Sequence, residues 1–126
     1  MTPANTVAKR VLIVDDNRDF ADAIALTLSL EGYVTRACYD GREALEQASS
    51  FQPQIVILDI MMPKLTGYEA ARVFSRHPQG TRPALIALTG STGEPARLRA
   101  EMAGFDYYVA KPAESAALVE LVKSIP

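Results

Sequence analysis

The sequence predicts an α/β protein, a doubly wound (βα)5 sandwich with a five-stranded parallel sheet between two layers of helices. Three observations support this. Short apolar runs alternate five times with longer segments of helical periodicity. The runs are apolar nearly throughout, as expected for parallel strands that are covered on both faces. Glycine or proline lies at several of the junctions, where it starts or ends elements.

The first two βα units begin at an apolar run near the N-terminus. Residues 10–14 (RVLIV) predict the first strand. A helix follows, because apolar side chains recur every four residues from Phe20 up to Gly32, a residue type that commonly ends helices. Residues 33–39 predict the second strand, and residues 41–50 predict a short second helix.

The middle of the chain repeats the pattern. Residues 55–58 (IVIL) predict the third strand, introduced by Pro53. Residues 67–76 predict the third helix, and a loop rich in proline and glycine follows it. Residues 84–88 (ALIAL) predict the fourth strand. This central part therefore supplies the third and fourth strands, with the third helix between them.

The last units complete the alternation. Residues 94–104 predict the fourth helix, with a proline near its first turn and a glycine near its end. Residues 107–110 (YYVA) predict the fifth strand. Residues 114–125 predict the fifth helix, which carries one apolar stripe.

The handedness of the crossovers limits the possible topologies, and among them we expect the strand order 2-1-3-4-5. Right-handed connections restrict the order of a parallel sheet, and 2-1-3-4-5 is one of the two common doubly wound orders. In that order the first and fifth helices share one face, and the second, third and fourth share the other. No linker or repeat interrupts the chain, so we expect a single domain over residues 1–126 with a core of about 9–125.

Composition limits the classes of function. Thirteen basic and fifteen acidic residues give a net charge of −2, which argues against a nucleic-acid-binding face. The single cysteine, Cys38, cannot form an intramolecular disulfide, and we expect it to be a small buried hydrophobic residue. The N-terminus lacks the apolar region of a signal peptide, and no apolar run is long enough to span a bilayer. We therefore expect a soluble cytoplasmic protein with no membrane insertion.

Polar residues follow four of the five predicted strands. Asp15 and Asp16 follow the first strand, Asp59 the third, Thr89 and Gly90 the fourth, and Lys111 and Pro112 the fifth. Ligands of open α/β sheets bind at the carboxyl ends of the strands, so these residues are expected to converge. Asp40 follows the edge strand and is expected to lie apart.

Three carboxylates in one pocket repel each other, and a hard divalent cation relieves the repulsion. Mg²⁺ favours a few carboxylates together with water and phosphate oxygens. The ammonium of Lys111 can pair with an anion, the hydroxyl of Thr89 can hydrogen-bond a phosphoryl oxygen, and Gly90 permits close backbone approach. The set suits phosphoryl transfer, in which a carboxylate can be the covalent acceptor.

The motifs LIVDDN, ILDIMMPKLTG, ALTG and GFDYYVAKP, in this order and at these intervals, closely resemble the receiver domain of two-component response regulators. The resemblance covers essentially the whole chain. It implies a flavodoxin-like fold and a signalling domain, similar to single-domain chemotaxis regulators, that accepts phosphate. Such a domain is not an enzyme acting on a separate substrate, although it can phosphorylate itself from small donors and remove its own phosphate.

The resemblance also implies roles for individual residues. Asp59 is the implied phosphoacceptor, and Lys111 the residue that contacts the phosphate. The implied switch residues are Thr89 and Tyr108, and the Lys111–Pro112 bond is expected to be cis. The implied ligands of Mg²⁺, or of Mn²⁺ in its place, are Asp15 (mainly through water), Asp16, Asp59 and the backbone carbonyl of Met61.

The partners implied are a sensor histidine kinase or histidine phosphotransfer protein, which donates phosphate, and a downstream protein target. Phosphorylation would repack the surface formed by the fourth helix, fifth strand and fifth helix. No direct nucleic-acid contact is expected. The chain could act alone, or be a receiver module of a hybrid histidine kinase or of a larger regulator.

Simpler readings and other functions remain open. Asp15 and Asp16 alone could cap a helix, and Tyr108 alone could be a strand aromatic packed on a neighbour. His77 is expected at the surface, and Met61 and Met62 partly in the core. An aspartyl-phosphate phosphatase of the haloacid dehalogenase kind would need an aspartate where Met61 stands. An FMN binder would need a loop rich in Ser and Thr after the first strand, which here is acidic.

Overall fold

The computed structural model describes residues 8–60, 62, 66–76, 82–90, 94–111 and 114–126. Five strands alternate with five helices along the chain. In chain order they are β1 (Arg10–Val14), α1 (Arg18–Leu30), β2 (Val34–Cys38), α2 (Gly41–Phe51), β3 (Ile55–Asp59), α3 (Gly67–Ser75), β4 (Ala84–Thr89), α4 (Glu94–Ala103), β5 (Tyr107–Ala110) and α5 (Ser115–Ser124). The predicted fold class is confirmed, and each element lies within two residues of its predicted bounds.

The sheet is entirely parallel and has the order β2-β1-β3-β4-β5. This confirms the predicted order, with β1 and β3 as central strands. β2 is one residue shorter at each end than predicted. β3 and β4 are each one residue longer, because the ladder continues through Asp59 and Thr89. The polar residues at these two positions therefore belong to the sheet.

Alternate residues of the strands point into two separate cores. Val11 and Ile13 face α1 and α5, whereas Leu12 and Val14 face α2, α3 and α4. All four side chains are fully buried. The predicted assignment of helices to the two faces is thus confirmed, and it explains why the interior strands are apolar nearly throughout. Among the described helices, none is both long and apolar enough to cross a membrane.

Side chains cap the first three helices. Asn17, Asp40 and Thr66 each accept a hydrogen bond from the backbone N–H three residues further on, as capping residues do. Asp40 caps α2, so it lies at a helix start outside the acidic cluster, as predicted. Gly32 and Gly104 end α1 and α4 with φ angles of +100° and +106°. The caps fix where each loop leaves the sheet.

Candidate functional site: an acidic pocket at the carboxyl edge of the sheet

Asp59 is the last residue of β3 and is held by the central sheet. It pairs in register with Leu88 of β4, and the N–H of Ile60 donates to the carbonyl of Leu88 at 2.9 Å. Only 4% of Asp59 is exposed. The pairing with β4 therefore fixes the position of Asp59 at the edge where the strands end.

Asp15 follows β1 directly and is fully buried. Its backbone N–H donates to the carbonyl of Cys38 at 3.1 Å. One carboxylate oxygen, Oδ1, accepts from the N–H of Asn17 at 3.0 Å. This is a local turn in which the side chain satisfies the backbone just before α1 begins. Asp15 is thus rigidly oriented by its own loop.

Asp16 completes a cluster of three carboxylates. One oxygen from each of Asp15, Asp16 and Asp59 lies within 4.8 Å of the other two. Asp16 is exposed, whereas the other two are buried. The cluster therefore has a buried floor and one side open to solvent, through which an ion or a phosphoryl group can enter.

Lys111 supplies the positive charge of the pocket. Its Nζ donates to Asp15 Oδ2 at 2.8 Å and lies 3.4 Å from Asp59 Oδ2. Burial by itself lowers the pKa of Lys111, but the hydrogen bond with Asp15 and the charge of Asp59 outweigh burial and raise the pKa above its ordinary value. The ammonium is therefore charged at every physiological pH.

Thr89 and Lys111 are joined through the backbone. Thr89 is the last residue of β4 and is 1% exposed, and its carbonyl accepts from the N–H of Lys111 at 2.7 Å. The hydroxyl and the ammonium thus belong to adjacent strands at the same edge. Gly90 is exposed, and a Cβ there would meet nothing within 4 Å. Among the described residues, then, no close approach at Gly90 accounts for the glycine.

Tyr108 lies one strand away, in β5, opposite Ala87 of β4. Its side chain is partly buried and packs against the core under α2, α3 and α4. It also lines a groove of about 310 Å³ beside Arg97 and Glu101 of α4. The packing agrees with the reading of Tyr108 as a strand aromatic, and the groove places it beside the surface of α4.

Several predicted positions lie outside the described residues, namely Met61, His77 and Pro112. Met62 is 5% exposed and belongs to the core, as predicted. Cys38 is 1% exposed in the same core, so its reading as a small buried hydrophobic residue is confirmed.

The charges of the pocket fit a divalent cation. Three aspartates and one lysine lie together here, so acidic side chains outnumber basic ones by two. The oxygens are close enough for one ion to contact more than one carboxylate, and carboxylate oxygens are the ligands of hard cations. The donor set therefore suits a hard divalent metal, and one open side leaves room for water or phosphate oxygens.

The comparisons with known proteins agree with this site. The sequence profile of the response regulator receiver domain matches residues 11–123. Response regulator MprA of Mycolicibacterium vanbaalenii is 37% identical over 103 residues, which make up 82% of this chain and 44% of that protein. The chain thus spans less than half the length of this relative.

Two solved structures share the fold. Chemotaxis protein CheY4 of Vibrio cholerae is 26% identical with a TM-score of 0.88, over 95% of this chain and 100% of that one. The signal receiver domain of a histidine kinase from Syntrophus aciditrophicus is 30% identical with a TM-score of 0.82, over 92% of this chain and 88% of that one.

The fold and the acidic pocket together define a two-component signalling domain. The chain belongs to the response regulator receiver domain family, which confirms the resemblance drawn from its motifs. Its flavodoxin-like fold is that of these relatives, and a pocket with three acidic residues is consistent with a phosphoacceptor site that binds a metal.

Sequence reasoning missed two residues that shape the pocket. Asn17 both holds Asp15 and caps α1. An asparagine just before a helical period is a typical capping signal and could have been recognised. Phe20 was expected only as part of the apolar stripe, but its ring lies 5.4 Å from Lys111 Nζ. No local signal links residues so far apart in the sequence.

Proposed function

We propose that Asp59 accepts a phosphoryl group from a phosphohistidine of a sensor histidine kinase or a histidine phosphotransfer protein. The observation that carries the proposal is the position of Asp59: it is almost enclosed at the end of a central strand, within the acidic cluster, and 3.4 Å from the ammonium of Lys111. A carboxylate in this position has a cation beside it and is held in a fixed place. Phosphoryl transfer depends on both neutralisation of charge and positioning of the reacting groups.

The other two carboxylates are poorer candidates for the acceptor. Both oxygens of Asp15 are engaged, one with the N–H of Asn17 and the other with Lys111. Asp16 is exposed, so none of the described residues encloses a group transferred to it. We therefore assign these two residues to metal binding, Asp15 mainly through water.

In the proposed reaction, an oxygen of Asp59 forms a bond to phosphorus while the bond between phosphorus and the histidine nitrogen breaks. The electron pair of the broken bond stays on the imidazole nitrogen. A ring that is protonated on its other nitrogen leaves as neutral imidazole, and an unprotonated ring leaves as imidazolate and takes a proton from water. Lys111 neutralises charge on the phosphoryl oxygens from one side. Mg²⁺, or Mn²⁺ in its place, would be held by Asp15 (mainly through water), Asp16, Asp59 and the backbone carbonyl of Met61, and would neutralise further negative charge.

We further propose that Thr89 and Tyr108 transmit the effect of phosphorylation from Asp59 to the protein surface. Thr89 would bond a phosphoryl oxygen, and Tyr108 would turn inward and alter the surface of α4, β5 and α5. Two observations support this. Thr89 shares a backbone hydrogen bond with Lys111, and Tyr108 already borders the groove beside α4. The partner of that surface would be a protein, since the near-neutral chain offers little attraction for nucleic acid.

Residues 1–126 are proposed to act as one domain in the cytoplasm, without activity on a separate substrate. The similarity to a receiver domain of a histidine kinase supports attachment to such a kinase as the second setting, beside a regulator that acts on its own or within a longer chain. In each setting the chemistry at Asp59 is the same.

The proposal is tested by incubating the protein with acetyl phosphate and Mg²⁺ and measuring the intact mass. We expect a gain of one phosphoryl group in the wild type and none after chelation of the metal. Asp59→Asn should gain nothing. An unmodified wild type, or an undiminished adduct in Asp59→Asn, would falsify the proposal.

Asp40→Asn is the matched control for that experiment. It removes the same charge, and asparagine caps helices as well as aspartate does. Because Asp40 lies outside the acidic cluster, this variant should be phosphorylated like the wild type. A loss of phosphorylation in Asp40→Asn would mean that net charge, rather than the site, controls the reaction.

A further inference from the structure

We propose that Phe20 is a positioning residue for Lys111, and that its ring holds the ammonium at the junction of Asp15 and Asp59 through a cation–π contact. This inference rests on the proposed function, which gives the ammonium its task. It adds a residue that neither the motifs nor the acidic cluster includes. Phe20 lies on the first turn of α1, next to the pocket.

The contact has the geometry of a cation–π pair. Nζ of Lys111 lies 5.4 Å from the centroid of the Phe20 ring, inside the ~6 Å over which the ring face attracts a cation. The side chain of Lys111 is 28% exposed, so the pair is only partly screened by water. The ring therefore adds an attraction for the ammonium beside that of the two carboxylates.

The ring is itself held in place by the core. Phe20 is half-buried and packs against the core cluster between the sheet and helices α1 and α5. It stands one helical turn before Ile24, which is 2% exposed in that cluster. Turning the ring away would remove apolar surface from this packing.

A closed circuit of contacts joins Phe20 to the acidic cluster. The N–H of Phe20 donates to Oδ1 of Asn17 at 3.1 Å, and the N–H of Asn17 donates to Oδ1 of Asp15 at 3.0 Å. Oδ2 of Asp15 accepts from Lys111, whose ammonium meets the ring of Phe20. The ring, the helix cap and the carboxylate are thus fixed relative to one another.

Restraint of the ammonium by a ring is useful because the lysine side chain is flexible. Its ammonium ends a stem with four rotatable bonds and makes point contacts that do not fix its direction. The two carboxylates and the ring approach it from different elements, β1, β3 and α1. An ammonium restrained in this way needs less reorganisation when a phosphoryl group arrives.

The test compares Phe20→Leu, which keeps an apolar side chain but has no ring, with Phe20→Tyr, which keeps the ring. The first readout is the NMR shift of the ε-methylene protons of Lys111. A ring face shifts these protons upfield, so we expect the upfield shift in the wild type and in Phe20→Tyr, and its loss in Phe20→Leu. Unchanged shifts in Phe20→Leu would overturn the proposal.

The second readout separates positioning from structural damage. Phosphorylation of Phe20→Leu by acetyl phosphate should slow about two- to fivefold, the fold-change expected from one partly exposed cation–π contact. Mg²⁺ affinity should stay the same or rise, because a loosened ammonium repels the metal less. A fall in Mg²⁺ affinity in step with the rate would indicate damage to the pocket and contradict the proposal.

Ile24→Val is the matched control on the same helix and in the same core cluster. It should leave the Lys111 shifts, the Mg²⁺ affinity and the phosphorylation rate unchanged. The NMR readout does not depend on phosphorylation. If the wild type takes no phosphate, the proposed function fails, while the shift of Lys111 still decides whether Phe20 positions it.

Discussion

At the scale of the residue, the main feature of the pocket is that it removes acidic side chains from water. A carboxylate removed from water costs free energy unless a cation or hydrogen-bond donors face it. Asp15 and Asp59 are both buried, and both contact the ammonium of Lys111. The sequence alone shows two acids beside apolar runs, and only the sheet order brings a lysine from the far end of the chain to meet them.

Replacing Lys111 with alanine should separate metal binding from signalling. We expect Lys111→Ala to bind Mg²⁺ at least as tightly as the wild type, since the removed ammonium repels the metal. The conformational change induced by a beryllofluoride phosphate mimic should be lost, as followed by backbone amide NMR. The control is Lys123→Ala, which breaks a surface ion pair with Glu31. Equal activation of Lys111→Ala and the wild type would contradict the account.

The thiol of Cys38 gives a prediction that depends on pH. Burial, assisted by the nearby charge of Glu43, raises the pKa of Cys38 to about 12. An unfolded thiol ionises near 8.5. Burial of the neutral thiol therefore lowers the stability of the folded protein only at high pH. The free energy of unfolding is unaffected by ionisation of the thiol below about pH 8.5, and it declines as the pH rises from there towards the folded pKa.

Labelling kinetics test this directly. Between about pH 7 and pH 9, a window that brackets the unfolded thiol's pKa of about 8.5, a disulfide reagent should modify native Cys38 far more slowly than the same cysteine in the protein unfolded in urea. Fast modification of the folded protein, at the rate of the unfolded one, would show that the thiol is accessible and ionised.

At the scale of the element, the glycines that end α1 and α4 differ in one respect. Gly32 and Gly104 both have positive φ, which costs about 1–2 kcal/mol for a residue with a Cβ. A Cβ at Gly32 would meet nothing within 4 Å, whereas one at Gly104 would lie 2.8 Å from Cβ of Ser75 on α3. Gly104 thus permits the close packing of α3 and α4.

The pair of substitutions Gly32→Ala and Gly104→Ala measures this packing. Both should lower the free energy of unfolding by about 1–2 kcal/mol through backbone strain. Gly104→Ala should lower it by about 1–3 kcal/mol more, because of the clash with Ser75. Urea denaturation gives both values. Equal losses in the free energy of unfolding of the two variants would show that α3 and α4 can move apart without an energetic cost.

At the scale of the whole molecule, the fold could be predicted because packing between two helix layers requires a recognisable pattern of apolar residues in the sequence. Strands covered on both faces are apolar at every position, and helices show one apolar stripe. The ends of β3 and β4 could not be predicted, since hydrogen bonding continues through Asp59 and Thr89 after the apolar runs stop. The apolar pattern of a sequence indicates which residues are buried, but it does not indicate how far the hydrogen bonding between strands continues.

The candidate site was predictable to the extent that it lies at strand ends. Asp15, Asp16, Asp59, Thr89 and Lys111 were found because each follows an apolar run. Contacts that involve a residue away from the carboxyl ends of the strands were not predictable. One example is the clip in which Asp106 accepts hydrogen bonds from Arg82 and from the N–H of Leu85; another is the ring of Phe20 over Lys111. These depend on three-dimensional packing.

The central claim is that Asp59 carries the phosphoryl group, and chemical localisation tests it most directly. The protein is phosphorylated with acetyl phosphate and Mg²⁺ and then treated with borohydride, which reduces an aspartyl phosphate to homoserine with release of phosphate. Peptide sequencing by mass spectrometry then reads the modified position. The account predicts homoserine at position 59 alone. Homoserine in place of Asp15 or Asp16, with Asp59 intact, would contradict it.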